Sequence, residues 1–131
     1  MEAIEIGEKV EEIKKDAFLC VSNWWGHRNS GIAGYIVTKS GELYSYKLYH
    51  HITENMKDSC VNHFKKVKKV SEQFMEDINT YFKKNIEGKD FPFIRMFDVS
   101  FTVEIEDITI NNYTEIYKEI VEIIKEEIER D

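Results

Sequence analysis

The chain is 131 residues long, 15.6 kDa in mass, 42% hydrophobic and 33% charged, with one proline and six glycines. These values exclude a collagenous, low-complexity or wholly disordered chain and predict a single domain over 1–131. No apolar run is long enough for a membrane-spanning helix, and the N-terminus MEAIEIGEKVEE is acidic where a signal peptide is basic, so a cytoplasmic protein without membrane contact is expected.

The net charge of −7 is unevenly placed. Residues 1–16 carry −3, residues 17–103 carry +3 and residues 104–131 carry −7. An acidic total disfavours direct nucleic-acid binding, which depends on neutralising phosphates, and suits docking to a basic protein surface.

In chain order, Ile6, Val10, Ile13 and Ala17 follow helical spacing and predict a helix over roughly 3–16. Residues 17–25 are apolar at both parities, as in a central strand. The loop GHRNSG follows, then strands over 32–38 and 43–49 joined by the turn Lys39-Ser40-Gly41-Glu42, giving an antiparallel meander. From Thr53 the period changes. Met56, Cys60, Phe64 and Val67 share one helical face, and Ser71 is an N-cap candidate for Phe74, Ile78, Tyr81 and Phe82, so two helices broken near Val70 are predicted. Residues 97–105 alternate strictly, with Phe97, Val99, Phe101, Val103 and Ile105 on one face. Ile108 and Ile110 have the opposite parity, which calls for a bend, a bulge or a short separate strand. Asn112 followed by Glu115 resembles a capping box, and Ile116, Ile120, Ile123, Ile124 and Ile128 predict an amphipathic helix to about Arg130. The predicted order is α-β-β-β-α-α-β-β-α. The expected class is α+β, with a mainly antiparallel sheet of four or five strands and helices packed on one face.

All four histidines fall between 27 and 63. Cys60 and His63 are weak metal candidates whose spacing fits no standard zinc signature, so no metal and no cofactor are expected. Trp24, Trp25, His27 and Arg28 leave the end of a strand together, and Trp and Arg are the residues that dominate binding hot spots. A small enzyme or ligand-binding domain centred on this loop would use His27 as base toward Ser22, Ser30 or Cys20, but no recognised nucleophile, phosphate or dinucleotide motif is present. Lys65, Lys66, Lys68 and Lys69 form the basic run, read as a solvated helix face. Tyr44 and Tyr46 share one strand face, an interface stripe and a route to a homodimer if no helix covers it. Glu115, Glu119, Glu122, Glu126 and Glu129 line the outer face of the last helix.

The first functional expectation is a non-enzymatic acidic binding protein that blocks a basic surface of a partner through those glutamates, with Trp25, His27, Arg28, Tyr44 and Tyr46 as further contact candidates. Small, acidic, motif-poor chains rich in Ile, Lys, Glu and Asn are similar in composition to many bacterial or phage antagonists, such as immunity proteins and inhibitors of nucleases or defence systems. The alternatives are the Trp24–Arg28 ligand site and a homo-oligomeric structural module.

Overall fold

The computed structural model describes residues 3–27, 29–50 and 62–130. The described elements are α1 (Ala3–Lys14), β1 (Ala17–Trp25), β2 (Gly31–Thr38), β3 (Glu42–Tyr49), β4 (His63–Lys69), α2 (Glu72–Asn85), β5 (Val99–Ile105), β6 (Ile108–Asn111) and α3 (Thr114–Glu129). The class is α+β. The strands form one antiparallel sheet of order β4-β3-β2-β1-β5-β6, six strands where four or five were expected.

β1 pairs on both sides, with β2 and β5, and buries both faces, as its two-sided apolar sequence predicts. Leu19 and Val21 point to one face and join Val37, Leu43, Val103 and Ile105 beneath Phe74 and Ile78 of α2 and Ile120 and Ile124 of α3. Cys20 points to the other face and joins Ile36 and Tyr46 beneath Ile6 and Val10 of α1. The helices therefore pack on both faces rather than on one. α1 docks through Ile6 and Val10, and burial of each is worth about 2 kcal/mol.

Residues 63–69, expected to be helical, are extended. They form edge strand β4, paired only with β3. The start of the expected helix, with Thr53, Met56 and Cys60, lies outside the described residues. A register shift between Leu43 and Tyr44 sets Leu43 opposite Lys68 and Tyr44 opposite Lys66, which leaves Val67 as an extra residue. This bulge lets Val67 reach the core under α2 and α3 while Lys68 faces α3. It also breaks the alternation, so Phe64 and Val67 mimic a helical spacing. The lysines of this run suit an edge strand, where charge discourages pairing with another chain.

Val70 ends the strand, its N–H donating to the Gly41 carbonyl at 2.8 Å, and Ser71 caps α2 by accepting the Phe74 N–H at 3.2 Å. Glu127 of α3 reaches this junction. Its carboxylate is fully buried and accepts from the Ser71 N–H and hydroxyl, both at 2.7 Å, from Lys68 Nζ at 3.2 Å and from Arg130. Lys68 Nζ also donates to the Glu127 and Arg130 carbonyls, both at 2.9 Å, and so satisfies orphan acceptors at the C-terminus of α3. Burial raises the Glu127 pKa, but the bonds from Ser71, Lys68 and Arg130 outweigh it and hold the carboxyl below its ordinary value.

A group with a depressed folded pKa contributes stability that is complete above its unfolded value and is lost as pH falls through the folded value. Glu127→Ala is expected to lose about 2–4 kcal/mol at neutral pH, because Ser71, Lys68 and Arg130 lose the buried carboxylate that accepts from all three. In urea melts, the gap between the parent and Glu127→Gln should shrink as pH falls from about 7 to about 3. A gap independent of pH would contradict the ionised carboxylate.

Candidate interaction surface

The loops that follow β1 and precede β5 meet at one end of the sheet, where Trp25 pairs with Val99 and the Gly26 N–H donates to the Asp98 carbonyl at 3.0 Å. Segment 86–98 joins α2 to β5 there and has no regular structure beyond a turn after α2. It carries four of the six large exposed apolar side chains among the described residues, with Phe93 70% exposed, Ile94 41%, Met96 36% and Phe97 78%; the other two are Ile4 of α1 and Trp24 of β1. Phe97, expected to start the alternating strand, lies outside it because Asp98 takes a left-handed conformation with φ of 61° and turns the chain before Val99.

The segment is fastened along its length. Phe91 packs edge-on against Tyr113, ring centroids 5.1 Å apart, and the Tyr113 hydroxyl donates to the Pro92 carbonyl at 2.8 Å. Asn112 donates through Nδ2 to the Ile94 carbonyl at 2.6 Å while its Oδ1 accepts the Phe101 N–H at 2.7 Å. Asn112 is buried with φ of 67°, a conformation that asparagine tolerates better than most residues. It is therefore not the helix cap that its spacing to Glu115 predicts. The cap position is Tyr113, which makes no side-chain capping bond. With Pro92, Ile94 and Asp98 held by their carbonyls, Phe93, Met96 and Phe97 project outward on a fixed backbone, and the Arg95 guanidinium lies 5.3 Å from the Phe97 ring centroid.

Trp24, 38% exposed, extends this end. Its ring lies over Gly26, where a Cβ would come within 2.3 Å of the indole. Trp25 turns to the other face, donates Nε1–H to the Asn29 carbonyl at 2.6 Å and meets Tyr49 edge-on at 5.7 Å. Lys47 Nζ stands 5.8 Å from the Trp25 ring centroid and 5.3 Å from that of Tyr49. His27 is exposed, and Arg28 lies outside the described residues.

The remaining candidates separate. Glu115, Glu119, Glu122, Glu126 and Glu129 are all exposed on the outer face of α3, while Glu127 is turned inward. Glu119 faces Tyr81 of α2, whose hydroxyl is pushed up to about 12 by burial and then by Glu119. Tyr46 is buried beneath α1 and Tyr44 stacks on Phe64 at 5.4 Å, so the tyrosine face is packed rather than open. His63 bonds Ser45 on the neighbouring strand, and Cys60 lies outside the described residues. No group of three metal-ligating side chains occurs among the described residues. Cys20 borders a cleft of about 440 Å³ with Lys14, Lys39 and Glu104, but burial, then Glu104, pushes its thiol to about 11, away from thiolate chemistry. No helix of the described residues is long and apolar enough to cross a membrane.

Neither the known protein families, nor the curated proteins, nor the solved structures include a significant match to this chain.

Asn112→Ala removes two buried hydrogen bonds and puts a β-carbon residue at positive φ, so a loss of about 2–3 kcal/mol is expected. Limited proteolysis should then cut first within 91–98, whereas the parent should resist at that segment. Equal resistance of both proteins would contradict Asn112 as the anchor.

Proposed function

We propose that this protein is a non-enzymatic binding domain that covers a basic surface on a protein partner. The observation that carries the reading is the fastened segment 91–98, which holds Phe93, Met96 and Phe97 out in water beside the first turn of α3. Apolar side chains in such a cluster mark contact surfaces, and a fixed backbone lowers the entropy lost on binding. Tyr113 anchors the segment two residues before Glu115, so the aromatic cluster adjoins the row Glu115, Glu119, Glu122, Glu126 and Glu129. An apolar centre with a charged rim is the usual anatomy of a protein interface. The acidic rim selects a partner with lysines and arginines around an apolar depression. A nuclease or a defence protein whose working surface is basic fits that description, and the protein would act by occluding that surface.

The test is capture of a partner by the intact protein, compared with Phe93→Ser/Phe97→Ser and with Glu119→Lys/Glu122→Lys. A single stoichiometric basic partner is expected, with affinity falling as salt rises. The double serine variant should weaken binding by about thirtyfold or more, the size of one hot-spot residue. Retention of a partner by both variants, unchanged by salt, would contradict the reading.

A further inference from the structure

Residues on alternate positions of paired strands share a face, and the register of β3 with β4 sets Ser45 opposite Lys65 and Lys47 opposite His63. These four side chains form a block, two on each strand, on the face that carries Trp25 and Tyr49. The Ser45 hydroxyl and His63 Nε2 are 3.2 Å apart across the diagonal of the block. Burial first, then the charges of Lys65 and Lys47, hold the His63 pKa below its ordinary value.

Like charges opposed on one sheet face destabilise the pair. Elsewhere on this edge the cost is removed: Lys66 pairs with Glu42 at 2.8 Å and Lys68 with Glu127 at 3.2 Å. Among the described residues no carboxylate pairs with Lys47, Lys65 or His63. Among the described residues the block is thus a concentration of positive charge without a carboxylate partner, in a chain whose net charge is −7. Lysines that guard an edge strand account for Lys65 and Lys69. They do not account for Lys47, which sits on an interior strand, or for the bond that orients His63.

We propose that Ser45, Lys47, His63 and Lys65 form a binding site for a dianionic oxyanion, the phosphate of a small phosphorylated ligand. Two ammonium groups supply charge-assisted donors, and the bonded hydroxyl–imidazole pair of Ser45 and His63 presents one further O–H or N–H. The aromatic pair Trp25 and Tyr49, which Lys47 adjoins, stands ready as a wall for the organic part of the ligand. Its four residues belong to β3 and β4 rather than to segment 91–98, and the site does not depend on the binding role proposed for that segment.

The experiment is a titration of the full chain with inorganic phosphate at constant ionic strength, balanced with chloride and followed through the His63 ring signals by NMR. His63→Gln assigns those signals. A saturable shift is expected, with the His63 pKa rising as phosphate binds, because a bound anion favours the imidazolium. Lys47→Gln and Lys65→Gln should each weaken binding by about tenfold, and Lys69→Gln should leave it unchanged. Lys65 is exposed on the edge strand, so its variant keeps the test intact even if Lys47→Gln disturbs the aromatic pair. A shift no larger than chloride alone produces, or a Lys65→Gln protein that titrates like the parent, overturns the proposal.

Discussion

A carboxylate with no solvent contact is tolerated only when its oxygens are fully supplied with donors, and Glu127 meets that demand at the place where three elements converge. Ser71 belongs to the start of α2, Lys68 to the end of β4 and Arg130 to the end of α3. The single carboxylate therefore fixes where the last helix lies on the sheet and how it is rotated. Once Glu127 points inward with Ile120 and Ile124, helical periodicity turns 115, 119, 122, 126 and 129 outward. The same glutamate-rich sequence thus supplies both an internal clamp and an external charged face, and the bulge at Val67–Lys68 is what brings the cation to the clamp.

The opposite end of α3 has a different task. Asn112 and Tyr113, just ahead of it, fasten a segment that makes no sheet or helix bonds of its own. A segment rich in Phe, Ile and Met would ordinarily collapse into the core. Here its carbonyls at 92, 94 and 98 are taken by fixed donors, and the side chains between them are left in water. The surface chemistry divides in space: a row of glutamates on the outer face of α3, lysines without a carboxylate partner among the described residues on one face of β3 and β4, and apolar side chains on the loop before β5.

Much of this order is legible in the residues. Ile6 and Val10, the two-sided run at 17–25, the turn at 39–42, Ser71 as a cap and the isoleucines of α3 each report their own environment through period and composition, and the α+β class follows. Four features are hidden for definite reasons. β4 reads as helix because an edge strand with a bulge keeps neither strict alternation nor apolar density, and lysine suits both states. The exposure of Phe97 is masked because its parity matches the strand, while the left-handed residue that ends the pattern is an aspartate rather than a glycine. Asn112 looks like a cap because local spacing cannot reveal that its side chain is claimed by Phe101 and Ile94, neither of them its neighbour in sequence. The five exposed glutamates were legible as a face. The buried sixth, Glu127, was not, since a carboxylate inside an amphipathic stripe reads as an interruption until its partners are known.

The central claim is that residues 91–98 hold an apolar surface in water on a rigid backbone. Backbone ¹⁵N relaxation of the free protein measures this directly, because heteronuclear NOEs and order parameters report motion on the ps–ns scale. The account predicts order parameters for 91–98 close to those of α2 and α3, about 0.85. Values below about 0.6 across Phe93–Phe97 would show a loosely moving loop and contradict a preformed contact surface.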